Sequence, residues 1–200
     1  MTIEAVIWDF GGVLVRTDPD NQRDALAARL NLTRHELEAR VFDGENRRRA
    51  QMGGVDGEQY LQEVAAEFGM SVAELREAFF GSDHLDHTLM AYIRSLRPQY
   101  KTGLLSNAMN NLRAALTTDY PILDAFDEVI ISGEVGVMKP HPAIYLLAAE
   151  RLGVQPAEAV FVDDFIQNTR GAQEIGMQAV LFTSREQTLA DLQTLLTKSP

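Results

Sequence analysis

Short apolar runs recur along the chain with amphipathic stretches between them. Residues 3–8, 102–106, 128–132, 159–162 and 178–182 are apolar, bounded by Gly, Asp, Asn or Ser, and short enough to be strands buried on both faces. Between them, residues 85–97, 110–116, 143–152, 168–175 and 187–196 place apolar side chains three and four apart, as helices covering a sheet do. This alternation predicts an α/β fold: a doubly wound, Rossmann-like parallel sheet of about five strands.

Residues 16–83 break the pattern. Helical spacing recurs at 22–30, 34–41, 58–68 and 72–79 with no convincing strand, so an all-helical insertion is expected between two parts of the core, 1–15 and 84–200. Residues 31–33 and 70–71 offer helix caps, and Gly53, Gly54 and Gly57 break the middle of the insertion into a loop.

Composition narrows the class. Of 200 residues, 46% are hydrophobic and 24% charged, which is globular and neither disordered nor fibrous. A net charge of −11 opposes binding to nucleic acid or anionic lipid. No cysteine is present, so disulfides and thiolate zinc sites are excluded. The longest apolar run, 143–149, is far too short to span a bilayer, and the opening MTIEAVIWDF reads as a strand and not as a signal segment; a cytoplasmic location is expected, with no membrane partner.

In an open α/β sheet, ligands bind beyond the carboxyl ends of the strands. The polar residues falling there are Asp9 with Gly11 and Gly12 after the first strand, Ser106 and Asn107 after the second, Lys139 before the fourth, and Asp163 and Asp164 at its end, with Asn168 one turn on. Three carboxylates on one edge repel unless a cation joins them, and Mg²⁺ prefers hard oxygen ligands shared with a substrate phosphate. Lys139 and the Ser106 hydroxyl would hold phosphoryl oxygens while a carboxylate oxygen of Asp9 attacks phosphorus in line, giving an aspartyl-phosphate.

Four motifs, in order and spread over the whole chain, carry a resemblance: a hydrophobic strand then Asp9 with Gly12-Val13-Leu14; Leu104-Leu105-Ser106-Asn107; Lys139-Pro140-His141-Pro142; and Val160-Phe161-Val162-Asp163-Asp164 with Asn168 and Gly171-Ala172. The sequence resembles the haloacid dehalogenase superfamily, specifically phosphatase-like members with a helical cap inserted after the first strand. The resemblance implies Asp9 as nucleophile and Lys139 as the residue steadying Asp9 and phosphate. Gly11, Gly12, Ser106, Asn107 and Lys139 would be the phosphate-binding set, and Asp9, the Gly11 carbonyl, Asp163 and Asp164 the Mg²⁺ set. Asp164 is favoured as direct ligand, with Asp163 supporting from behind. Residues 16–83 would be the cap, and the substrate a small phosphorylated metabolite.

One position departs from the family pattern. Most of its phosphatases carry a second Asp two residues after the nucleophile, as general acid and then base; here that position is Gly11. General acid–base help is worth ~10²–10⁴-fold, so a slow or leaving-group-selective enzyme is expected, unless Asp18 or Asp20 substitutes. A 2-haloacid dehalogenase needs neither proton donor nor metal, and a non-catalytic phosphate-binding relative needs no acid. The adjacent Asp163 and Asp164, whose repulsion calls for a cation, favour the phosphatase.

Other candidates have plainer readings. Ser106-Asn107 also suits a helix N-cap, His141 the start of a helix, His35 a helix surface, and His84 and His87 a solvated hinge. Arg47-Arg48-Arg49 reads as a solvated surface, or as a grip on an anionic substrate. Trp8 and Phe161 read as core, Phe10 and Phe165 as contacts to the insertion or substrate.

Overall fold

The described residues of the computed structural model are 2–17 and 22–197. Along the chain, β1 (Ala5–Trp8) leads into the short β2 (Val15–Thr17). The insertion follows as α1 (Gln22–Arg29), α2 (Arg34–Phe42), α3 (Glu45–Gln51), α4 (Gly57–Glu67) and α5 (Val72–Leu75), the last running on into a π-helical turn at Arg76–Phe80. The chain returns through β3 (Asp83–Leu85), α6 (His87–Ser95), β4 (Lys101–Ser106), α7 (Leu112–Thr118), β5 (Glu128–Ile131) and α8 (Ser132–Val135). It ends with α9 (Pro142–Leu152), β6 (Ala159–Asp163), α10 (Ile166–Glu174), β7 (Gln178–Leu181) and α11 (Arg185–Thr197).

The sheet runs β5-β4-β1-β6-β7 with every pairing parallel, so β1 is central. Successive side chains of a strand face opposite ways. Val6 and Trp8 therefore join one core with Leu89 and Ile93 of α6 and Leu192 of α11, while Ala5 and Ile7 join another with Ile144 and Ala148 of α9 and Ala172 of α10. Burial on both faces is why the strands read as unbroken apolar runs.

The insertion has its own apolar cluster, including Leu37, Val41, Tyr60, Leu61, Leu75 and Phe79, which Met109 of the core joins. Thr33 and Glu36 close a reciprocal capping box at the start of α2, and Ser71 with Glu74 does the same for α5.

Three features differ from the sequence expectation. The insertion is joined to the core by an antiparallel ribbon, Val15↔Leu85 to Thr17↔Asp83, where no strand was expected. Strands of three residues are too short to display alternation, and their partners lie about seventy positions apart. Second, α3 forms in the sequence ENRRRAQ, whose one buried apolar side chain is Ala50, so it has no apolar stripe to read. Third, Gly57 opens α4 instead of lying in the expected loop, and Gly53 and Gly57 both press on the core: a Cβ on Gly53 would stand 2.6 Å from the Gly133 carbonyl oxygen and one on Gly57 2.8 Å from the Asn111 side chain. They let the insertion settle against the core at backbone contact.

Candidate active site

Parallel pairing brings the carboxyl ends of β1, β4 and β6 side by side. The Asp9 N–H continues the ladder past the end of β1 by donating to Val162 O (2.9 Å), which sets Asp9 beside Asp163. Lys139, from the turn before α9, enters between them: its Nζ lies 2.8 Å from Asp9 Oδ1 and 2.6 Å from Asp163 Oδ2, with its side chain 1% exposed. Asp9 Oδ1 also accepts the Phe10 N–H (2.7 Å), so among the described residues one oxygen of this carboxylate is doubly held and Oδ2 is not.

The neighbouring acids divide sharply. Asp163 is fully buried and saturated: it accepts from Lys139, from the Phe165 N–H (2.8 Å) and from Asn168 Nδ2 (3.0 and 3.1 Å). Asp164 Oδ1 is buried with no hydrogen-bond partner. One oxygen from each of Asp9, Asp163 and Asp164 lies within 4.8 Å of the others. A buried carboxylate oxygen without a donor is costly, and an all-oxygen acidic set suits a hard divalent cation such as Mg²⁺. The residues present therefore fit that ion, the buried Asp164 oxygen being the one that lacks any donor.

The electrostatics agree. Burial pushes the Asp9 carboxyl up to about 7; Lys139 offsets part of that rise and Asp163 adds to it. Burial and then Asp163 raise Asp164 to about 6. Burial works against the charge on Lys139, but Asp9 and Asp163 outweigh it and hold the ammonium above its ordinary value. Asp9 and Asp164 thus resist ionising together in the absence of a further cation.

Ser106, the last residue of β4, is buried, and its hydroxyl makes no hydrogen bond among the described residues. Neither Ser106 nor Asn107 is a helix N-cap, because α7 begins only at Leu112. Asn107 instead turns its amide to the main chain of Lys139, donating to the carbonyl (2.9 Å) and accepting from the N–H (2.8 Å). Gly11 has open space where a side chain would go, whereas Gly12 sits at φ +79° against Asp164. Asp18 and Asp20 lie outside the described residues.

His141 caps α9, its Nδ1 accepting from Ala143 N–H, and His84 and His87 are exposed. Arg47 corrects the reading of its run as surface: it turns inward, its guanidinium 5.5 Å from the Phe42 ring and 5.9 Å from that of Tyr60, while Arg48 and Arg49 are exposed. Phe10 meets Tyr120 edge to face, and Phe165 is exposed. Sequence reasoning missed Gln51, whose Nε2 donates to the Asn107 carbonyl from α3 (2.9 Å). It also missed Asp86, buried and bridging Arg16 of β2 to Arg185 of α11 while capping α6. A lone Gln gives no signal, but Asp86 just before a helix could have been read as a cap.

The doubly wound sheet thus carries an acid triad and a buried lysine at its carboxyl edge. The chain belongs to the haloacid dehalogenase-like hydrolase family, whose model matches residues 3–176. It is 26% identical over 188 residues to D-ribitol-5-phosphate phosphatase of Bacteroides thetaiotaomicron, covering 88% of this chain and 90% of that one. Glyceraldehyde 3-phosphate phosphatase of Methanopyrus kandleri is 54% identical over 56 residues, which span 28% of this chain and 24% of that protein. A crystal structure of a family enzyme from Bacteroides thetaiotaomicron, in complex with magnesium and inorganic phosphate, superposes with a TM-score of 0.76 at 22% identity, over 92% of this chain and 96% of that one. Among the described residues no helix is long and apolar enough to cross a membrane.

Proposed function

We propose that this protein is a Mg²⁺-dependent phosphatase of small phosphorylated metabolites that works through a phosphoryl group on Asp9. The observation that carries the reading is the Asp164 oxygen, buried without a partner beside Asp9 and Asp163. Phosphatase names among the relatives support it. Asp9, Asp164 and the Gly11 carbonyl would hold the ion, which when bound supplies positive charge to the substrate's phosphoryl oxygens.

The chain's own groups account for the rest. With Oδ1 held by Lys139 and Phe10 N–H, the Asp9 carboxylate is oriented so that Oδ2 attacks phosphorus. The Ser106 hydroxyl donates to a phosphoryl oxygen, and Asp163 keeps the Lys139 ammonium in place. The Asp9–phosphorus bond forms as the ester oxygen leaves with its electron pair; water then attacks phosphorus and Asp9 is released as carboxylate. No side chain at Gly11 protonates the departing oxygen, so leaving groups that depart unprotonated, such as acyl or anomeric phosphates, suit the site. Residues 16–83 serve as a cap that excludes water during transfer and selects the substrate.

Halide displacement from carbon by Asp9 would be compatible with Gly11, but it gives the unpartnered Asp164 oxygen nothing to do. Hydrolysis of p-nitrophenyl phosphate with and without Mg²⁺, run beside chloride release from 2-chloropropionate, tests the reading. Mg²⁺-dependent nitrophenol release without chloride release is expected; metal-independent chloride release overturns it.

A further inference from the structure

Lys139 must reach two carboxylates at once from a turn that belongs to no strand or helix. A lysine stem has four rotatable carbons, so the ammonium is located only as well as the main chain beneath it. Among the described residues, the sole hydrogen-bond partner of the Lys139 main chain is the Asn107 side chain, which grips it at both ends: Nδ2 to the carbonyl at 2.9 Å and Oδ1 to the N–H at 2.8 Å. A planar amide joined at two points fixes the orientation as well as the distance of what it holds. Asn107 is itself gripped from the insertion, where Gln51 Nε2 donates to its carbonyl at 2.9 Å.

We propose that Asn107 is a positioning residue and not a phosphate ligand: it acts through Lys139, clamping that main chain so the ammonium meets Asp9, and Gln51 extends the clamp to α3. The kinetic part of this proposal rests on the phosphatase reading; the positional part does not.

The test uses the three lysines of the chain, Lys101, Lys139 and Lys198. Metal-free protein is treated with an amine-acylating succinimidyl ester, and modification of Lys139 is read by mass spectrometry against Lys101. The latter, exposed at the start of β4, serves as reference for the reactivity of the reagent, and a near-UV circular dichroism spectrum checks that the variant fold is intact. In Asn107→Ala the Lys139 to Lys101 ratio is expected to rise about tenfold, from the loss of two hydrogen bonds. Asn107→Asp, which keeps the shape and the acceptor but loses the donor, should fall between. On p-nitrophenyl phosphate, kcat of Asn107→Ala should drop on the order of 10²-fold, as expected for a misplaced group. Inhibition by inorganic phosphate should change less than about twofold. An unchanged Lys139 ratio in both variants overturns the proposal whatever the rates do. If wild-type protein hydrolyses no phosphate ester, the phosphatase reading fails while the labelling still decides the clamp.

Discussion

Gly12 and Asp164 stand so close that a Cβ on Gly12 would lie 2.1 Å from Asp164 Oδ2. Gly12 also has φ +79°, a conformation that L side chains adopt at a cost of about 1–2 kcal/mol. Gly12→Ala should therefore displace the acid whose other oxygen is unpartnered and weaken Mg²⁺ binding about 10–100-fold, as disturbed ligand support does. Gly11→Ala, with open space at its Cβ, should leave binding within about twofold, since surface changes of this kind usually matter little. Calorimetric titration of Mg²⁺ into both variants checks the contrast.

The same open space makes Gly11→Asp feasible. A carboxyl there restores a proton donor two residues after Asp9, so hydrolysis of esters with poor leaving groups should rise about tenfold or more, part of the ~10²–10⁴-fold such groups contribute. Acyl phosphates, which leave without a proton, should show little gain. Steady-state rates on a matched pair of substrates decide it.

Metal-free stability should depend on pH in an unusual direction. Asp9, raised to about 7, and Asp164, raised to about 6, hold their protons more tightly when folded than unfolded. Their contribution is full below their ordinary value of 3.8 and is lost as pH rises through about 6–7. Mg²⁺ reverses this by accepting the ionised pair, whereas protons compete with it in acid. Thermal melts should thus show a Mg²⁺ stabilisation of about 5–10 °C at 100-fold excess over Kd near pH 8, shrinking near pH 5.

Asp86 joins the ribbon to the core. Its buried carboxylate takes Arg16 from β2, Arg185 from α11 and the Leu89 N–H of α6. Burial alone would raise its pKa, but that N–H and the two arginines bring it below the usual value. Such a lowered group stabilises above its unfolded pKa, and the contribution disappears as pH falls through the folded one. Asp86→Ala removes a helix cap and strands two cations, and should cost about 2–3 kcal/mol in chemical denaturation near neutral pH. The loss should narrow in acid.

Residues that carry a chemical type were legible before the fold was known. Asp9, Asp163 and Asp164 each stand at a strand end that an apolar run announces, Lys139 stands in the turn before α9, and the fold brings the four together. The preference for Asp164 over Asp163 as direct ligand came from the resemblance alone; in the structure Asn168, one helical turn on, donates to Asp163. What was illegible is what depends on pairing across long separations. The ribbon of β2 and β3, the Gln51 contact with Asn107, and the seating of Gly53 and Gly57 on the core join positions about fifty-five to eighty residues apart, and none leaves a periodic trace. Arg47 misled for a related reason, since a basic run looks solvated until Phe42 and Tyr60 fold over one member of it.

Acid quench of the enzyme during turnover of ³²P-labelled acetyl phosphate with Mg²⁺, followed by peptide mapping, measures the proposed chemistry where it happens. An alkali-labile label on the peptide carrying Asp9, absent without Mg²⁺ and absent in a folded Asp9→Asn variant that no longer turns over, is the predicted result. Label on another residue, or full turnover by Asp9→Asn, would contradict the account.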